Sequence, residues 1–300
     1  MMTQASFAGG TIPDSIDAKE INRLNYICAK VRRDIIETLG YIGSGHSGPS
    51  LSLVEVVVTL YFNEMRIDPE DPKWSDRDRF VLSKGHGALG YYAILARRGF
   101  FPREELSTFE CLGSRLQGHP DTLLTPGVEL STGSLGQGLS VSAGMALGAK
   151  LLSKDIRSYC LVGDGETQEG NIWEAAMSAA KFKLDNLLAI VDWNGLQGGI
   201  TMEVMPSLEP YADKWQAFGW HVLDIPGHDI AALLQAYKEV RQTKDKPTVI
   251  IARTVKGKGI SFMENQVEWH GGKLAGSQLE QALRETGEQL DTFCSIEARH

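Results

Sequence analysis

Ser158-Tyr-Cys-Leu-Val-Gly-Asp-Gly165 and Leu187-Leu-Ala-Ile-Val-Asp-Trp-Asn194 decide the reading of this chain. Each is an apolar run that reads as a strand and ends in a polar residue, Asp164 or Asn194. Between them Ile172 to Phe182 reads as a helix, and 28 residues separate Gly165 from Asn194. A strand–helix–strand unit sets two strand ends side by side on one edge of a parallel sheet. One carboxylate and one amide oxygen then meet there, with glycines permitting close approach. That donor set suits a hard divalent ion that also holds a diphosphate, because Mg²⁺ takes one or two carboxylates and fills its octahedron with phosphate, carbonyl and water oxygens.

Outward from this unit, helix and strand alternate. Asp17-Ala-Lys-Glu20 is a capping-box pattern opening a helix to about Leu39. Leu53, Val56, Val57, Leu60 and Tyr61 share one helical face. Arg79 to Leu82 is a short strand, and Leu89 to Arg98 and Pro102 to Glu110 read as helices. Leu139 to Leu152 is an Ala- and Gly-rich helix suited to close packing. Strands at Trp220–Ile225 and Thr248–Arg253 flank a helix at Ile230–Gln242. A last helix spans Ser277 to Thr286, before a loose tail. This predicts an α/β fold, a three-layer parallel sheet with helices on both faces. The expected division is a tail over 1–17, one cofactor-binding domain over 18–276, and a terminal helix and tail over 277–300.

A chain of 300 residues can bury a sizeable core. The net charge of −8 and the lack of a basic stripe argue against nucleic acid. There is no run of eighteen apolar residues to cross a membrane, and the first fifteen residues lack a signal-peptide pattern. Cys28, Cys111, Cys160 and Cys294 are scattered with no CxxC, which fits reduced thiols in a cytoplasm.

Gly43-Ser-Gly-His-Ser-Gly48 matches GxGxxG literally, but it follows a helix, and no acidic residue ends a strand about twenty residues later. A turn holding His46 near a ligand is the better reading. No P-loop motif occurs. His46, His86, His119 and His270 each sit beside glycine in an expected loop. A lone histidine is most often a surface or core residue; four in such turns point to a site where imidazoles meet diphosphate or sugar hydroxyls and relay protons. No HxH or HxxxH spacing supports metal binding by them. His221, His228 and His300 read as structural or surface residues. Ser131-Thr-Gly-Ser-Leu-Gly-Gln-Gly138 is either a tight turn with helix packing or a backbone contact to a flat heterocycle through Gly133 and Leu135. Lys256-Gly-Lys-Gly259 either meets phosphate or is a solvated turn. Glu169 stands at a helix start, where the macrodipole favours a carboxylate.

Taken in order, Gly45-His46-Ser47-Gly48, Ser83-Lys-Gly-His86-Gly, Gly118-His119-Pro120, Thr132-Gly-Ser-Leu-Gly-Gln-Gly138, Gly163-Asp-Gly165 with Glu169-Gly170, Asp192-Trp-Asn194 and Trp269-His270-Gly271 resemble the amino-terminal, diphosphate-binding domain of transketolases, over about residues 20 to 275. The resemblance implies the thiamin-diphosphate-binding fold, with thiamine diphosphate and Mg²⁺ (or Ca²⁺ or Mn²⁺) as cofactors. Asp164, Asn194 and the Leu196 carbonyl are the implied metal ligands. Gly165 and His86 are implied at the diphosphate, and Gly133, Ser134 and Leu135 near the aminopyrimidine. His46, His119 and His270 are implied as catalytic residues of the substrate channel, His270 also touching the diphosphate. Glu169 matches a carboxylate that joins the two active sites across the family dimer.

Single-chain transketolases are more than twice this length and carry a pyrimidine domain with the activating glutamate. The chain therefore resembles the amino-terminal subunit of a split transketolase, acting on sugar phosphates or related sugars, including sulfonated or branched ones. Its expected partner is a carboxy-terminal subunit, two copies of each forming the assembly. The rival readings are the α-subunit of a 2-oxoacid dehydrogenase, a deoxyxylulose-phosphate synthase-like protein, and a non-enzymatic orphan domain.

Overall fold

Two separate apolar cores lie on either side of one sheet, and the side-chain alternation of the strands sorts residues between them. The computed structural model describes residues 17–198, 200–201 and 208–297. The expected tail up to residue 16 and His300 lie outside them. Five strands, all parallel, run in the spatial order Arg79–Leu82, Ser158–Gly163, Leu187–Trp193, Thr248–Arg253, His221–Pro226. Phe80, Leu82, Tyr159, Leu161, Leu188, Ile190 and Ile250 enter one core. Val81, Cys160, Val162, Ala189, Val191, Val249 and Ile251 enter the other. A strand buried on both faces must be apolar throughout, as these are. The expected three-layer α/β arrangement is what the chain adopts.

The first layer contains helices Ala18–Ile42, Val54–Thr59, Ala88–Arg98, Ile230–Gln242 and Gly276–Glu297. The opposite layer contains Gln137–Leu151, Gly170–Lys181 and Tyr211–Ala217. Asp17 caps the first helix through Lys19 N–H at 3.0 Å. Glu20, the other half of the expected capping box, instead binds Arg23 and Asn63.

Two stretches differ from expectation. Pro102 to Glu110 holds only a 3₁₀ segment, Arg103–Thr108, because Ser107 and Thr108 hydroxyls bond back to Glu104 and Glu105 carbonyls and Glu110 takes φ +56°. The last helix does not stop at Thr286 but runs to Glu297. It is tied to the body where Leu283 O accepts from Arg33 and Gln289 donates to Gly259 O.

One face remains uncovered. Leu135, Leu151, Leu152, Met177 and Phe182 are exposed, and a Cβ added at Gly144, Gly148 or Gly170 would meet nothing within 4 Å. Among the described residues no helix is long and apolar enough to cross a membrane.

Candidate active site

At the carboxyl edge of the sheet, Gly163 lies in register with Asp192. The residues that follow on those two strands, Asp164 and Asn194, therefore converge. Asp164 Oδ2 accepts the N–H groups of Asn194 and Gly195 at 2.9 and 2.6 Å, and Oδ1 that of Gly165 at 2.7 Å. Asn194 Oδ1 accepts Leu196 N–H at 3.1 Å. Burial, then the Asp192 charge, push the Asp164 carboxyl up to about 6 against those three donors. A carboxylate so placed is one that a cation beside it stabilises strongly.

Asp164, Gly165, Asn194 and Leu196 line one cavity of about 270 Å³ with His86, Leu135, Gln197, Lys256 and His270. The four histidines singled out by sequence meet beside it. His46 lies 5.8 Å from His86, 6.2 Å from His119 and 5.6 Å from His270, and His86 is 5.2 Å from His270, between ring centroids. A small ladder makes this possible: Ser44–Gly45 pairs antiparallel with Gly272–Lys273, drawing the His46 and His270 turns together. Gly133 has φ +148°, and a Cβ there would stand 3.1 Å from the His119 ring. Among the described residues no three His, Cys, Asp or Glu side chains are grouped to bind a metal.

Burial first, then like charge, lower the pKa values of His46, His86 and His270, the last to about 4 with Lys256 as the nearest cation. These three imidazoles are neutral at pH 7 and available as hydrogen-bond partners.

Three further residues belong to the site: Lys256, whose turn the sequence leaves open between a phosphate contact and a solvated loop, and Lys84 and Glu166, which the sequence does not mark for it. Lys256 is 2% exposed and makes no ion pair among the described residues. Its ammonium donates to Leu196 O and Gly198 O, both at 3.4 Å, and to His270 Nδ1 at 2.9 Å. Burial lowers its pKa to about 8. A buried ammonium without a carboxylate awaits an anion. Lys84 is buried against Asp192, whose carboxylate also accepts from Ser52 and Thr254. Glu166 accepts from Ser83, from Gly136 N–H at 2.9 Å and from Gly163 N–H at 2.9 Å, clamping three loops. The position of Lys256 just after a strand is a signal for its role; Glu166 has none, since its partners are mostly distant in sequence. Glu169 lies exposed beside Gly136, where an added Cβ would come within 2.7 Å of it.

The family model for the transketolase thiamine diphosphate binding domain matches residues 25–297. The chain belongs to the transketolase family. It is 44% identical over 273 residues to one of the subunits of the apulose-4-phosphate transketolase of Phocaeicola vulgatus, covering 91% of this chain and 96% of that protein. It is 45% identical over 256 residues to the 6-deoxy-6-sulfo-D-fructose transketolase subunit SqwG of Clostridium sp., covering 85% and 93%. Human transketolase is 38% identical across 92% of this chain but only 44% of its own length. Among solved structures, Campylobacter jejuni transketolase superposes with a TM-score of 0.81 and 29% identity, over 93% of this chain and 46% of that one. The chain thus spans less than half of these single-chain transketolases and nearly all of the separate subunits.

The site's donor chemistry fits the group this family binds. One carboxylate, one amide oxygen and one carbonyl oxygen are hard ligands for a divalent ion. The buried, unpaired Lys256 ammonium provides for an anion in the same cavity.

Proposed function

We propose that this chain is the amino-terminal subunit of a two-chain transketolase, transferring a two-carbon ketol unit from a ketose to an aldose, as phosphates or related sugars. The observation that carries this is Lys256: an unpaired buried ammonium in one cavity with Asp164, Asn194 and His270. In this reading Asp164, Asn194 and the Leu196 carbonyl hold Mg²⁺, or Ca²⁺ or Mn²⁺ in its place. Gly165, His86, His270 and Lys256 receive the diphosphate. Gly133, Ser134 and Leu135 offer backbone and an apolar side chain to the aminopyrimidine.

When bound, thiamine diphosphate supplies an electron sink for breaking a carbon–carbon bond next to a carbonyl. The remaining work falls to this chain's residues. Lys256 has no acceptor atom, so its bond to His270 Nδ1 fixes that ring with the proton on Nε2. His270 then presents an N–H donor to substrate oxygen. Neutral His46 holds or passes a proton at a hydroxyl, and His119, exposed at the rim, binds hydroxyls of an incoming sugar.

The partner is a carboxy-terminal subunit bearing the pyrimidine domain, two copies of each completing the assembly. Its docking surface is the uncovered face of the Gln137–Leu151 and Gly170–Lys181 helices. That face borders Leu135, which lines the cavity, and the chain has under half of a single-chain enzyme's length. The four cysteines are free, consistent with a cytoplasmic location.

The test is co-purification from the native host followed by a ketol-transfer assay. Thiamine diphosphate-dependent transfer by the pair supports the reading. A stoichiometric pair that releases CO₂ from a 2-oxoacid, or a chain that binds no thiamine diphosphate even with its partner, overturns it.

A further inference from the structure

Gln197 closes one wall of the cavity and has a polar atom without a partner. It sits in the two-residue strand Leu196–Gln197, paired antiparallel with Ile200–Thr201. Its stem lies directly on Gly165: a Cβ built there would meet Gln197 Cγ at 2.6 Å and Cβ and Cδ at 2.9 Å. That close approach explains why residue 165 is glycine. Gln197 Oε1 is buried and accepts no hydrogen bond among the described residues. Leaving a buried amide oxygen unpaired costs about 1–3 kcal/mol, so such an atom in a ligand cavity points to a donor that arrives with the ligand.

None of the neighbouring described protein groups makes that bond in this structure. Asp164 and Glu166, when ionised, only accept. Lys256 directs its ammonium to Leu196 O, Gly198 O and His270 Nδ1 and makes no bond to Gln197. The Asn194, Gly195 and Gly165 N–H groups are taken by Asp164, and Leu196 N–H by Asn194. What the cavity's oxygen-rich side can recruit is a divalent cation, and Mg²⁺ keeps several of its waters, each a strong donor.

We propose that Gln197 Oε1 accepts a hydrogen bond from a water in the divalent ion's shell, making Gln197 a positioning residue for that ion. This rests on the metal assignment above and extends it beyond Asp164, Asn194 and Leu196. The glutamine stem is anchored by Gly165, so the amide is held without its own hydrogen-bond partner, as a preformed outer-shell acceptor is.

The experiment uses the chain assembled with its carboxy-terminal partner in saturating thiamine diphosphate. Calorimetric titration with Mg²⁺ compares wild type, Gln197→Leu and Gln197→Glu, with far-ultraviolet dichroism confirming that each is folded. Gln197→Leu keeps the bulk and loses the oxygen; its Mg²⁺ affinity should fall about tenfold. Gln197→Glu keeps the oxygen and should bind at least as tightly as wild type. Equal affinity in wild type and Gln197→Leu would overturn the proposal alone. So would a Gln197→Glu variant weaker than Gln197→Leu, since it would mean that the amide nitrogen faces the diphosphate. A wild-type assembly with no Mg²⁺-dependent binding would overturn both this proposal and the metal assignment beneath it.

Discussion

The Lys256 ammonium donates to His270 Nδ1 at 2.9 Å, linking a turn after the Thr248–Arg253 strand to a turn fourteen residues later. One side chain thereby offers positive charge to the cavity and fixes the tautomer of the ring beside it. Lys256→Met keeps most of the packing stem and removes both effects. Thiamine diphosphate affinity should fall by at least about tenfold, a loss of about 1.4 kcal/mol or more. Melting temperature without cofactor should hold or rise, because the variant relieves a buried unpaired charge. Cofactor titration alongside thermal melts reads both. Unchanged cofactor affinity would sink the anion-receiving role.

Asp164→Ala and Asn194→Ala should each weaken Mg²⁺-dependent binding of thiamine diphosphate by roughly 100-fold, from direct loss of a proposed ligand. Asp164 additionally organises three backbone N–H groups, so its alanine variant should also melt lower, and by more than Asn194→Ala, which loses only the bond from Leu196 N–H. The paired measurement separates ligand loss from loop collapse. Intact Mg²⁺-dependent binding in both variants would reject the assignment.

Glu166 predicts a structural effect on the same site. Its carboxylate joins Ser83 of one loop, Gly136 of a second and Gly163 of the third. Glu166→Ala leaves a buried N–H, a part-buried N–H and a buried hydroxyl without their acceptor, at about 1–3 kcal/mol for each buried group. Stability should drop by several kcal/mol and cofactor affinity with it. Glu166→Gln, still able to accept, should recover much of the stability. If both variants melt like wild type, the three loops are held by other means.

How far the sequence reveals such features depends on how local their cause is. Asp164 and Asn194 are legible because each ends an apolar run, and strand ends of one crossover unit must be neighbours. The four histidines are legible as candidates from their glycine turns, but their convergence depends on the Ser44–Gly45 and Gly272–Lys273 ladder, two residues on each side and too short for any periodicity to mark. Glu166 is hidden between Asp164 and Glu169 because most of its meaning lies in contacts up to 83 residues away. The extent of the final helix escapes the sequence for a related reason. Beyond Thr286 it is held where Gln289 meets Gly259 O and Cys294 meets Tyr26, not by a pattern of its own.

Acid sensitivity of the fold should trace in part to Glu55, which does not line the cavity. Its carboxylate is buried between Arg32 and His228. Val255 N–H donates to His228 Nε2 at 2.8 Å, so Nδ1 carries the proton that His228 gives to Glu55 Oε2 at 2.8 Å. Burial alone would raise the Glu55 pKa; Arg32 and His228 outweigh it and hold the carboxyl at about 2, below its ordinary 4.5. A carboxylate depressed in the folded state contributes stability that is complete above the unfolded value and is lost as pH falls through the folded one. The window is therefore pH 4.5 down to about 2, and the shift corresponds to on the order of 3 kcal/mol. Glu55→Gln strands the buried Arg32 and should destabilise strongly at pH 7, by about 3–5 kcal/mol. Denaturant unfolding of wild type and variant between pH 2 and 7 checks this. The gap between them should narrow steadily below pH 4.5, since protonation makes the wild-type carboxyl neutral like the amide. A gap that stays constant across that range would show that Glu55 contributes through packing and not through its charge.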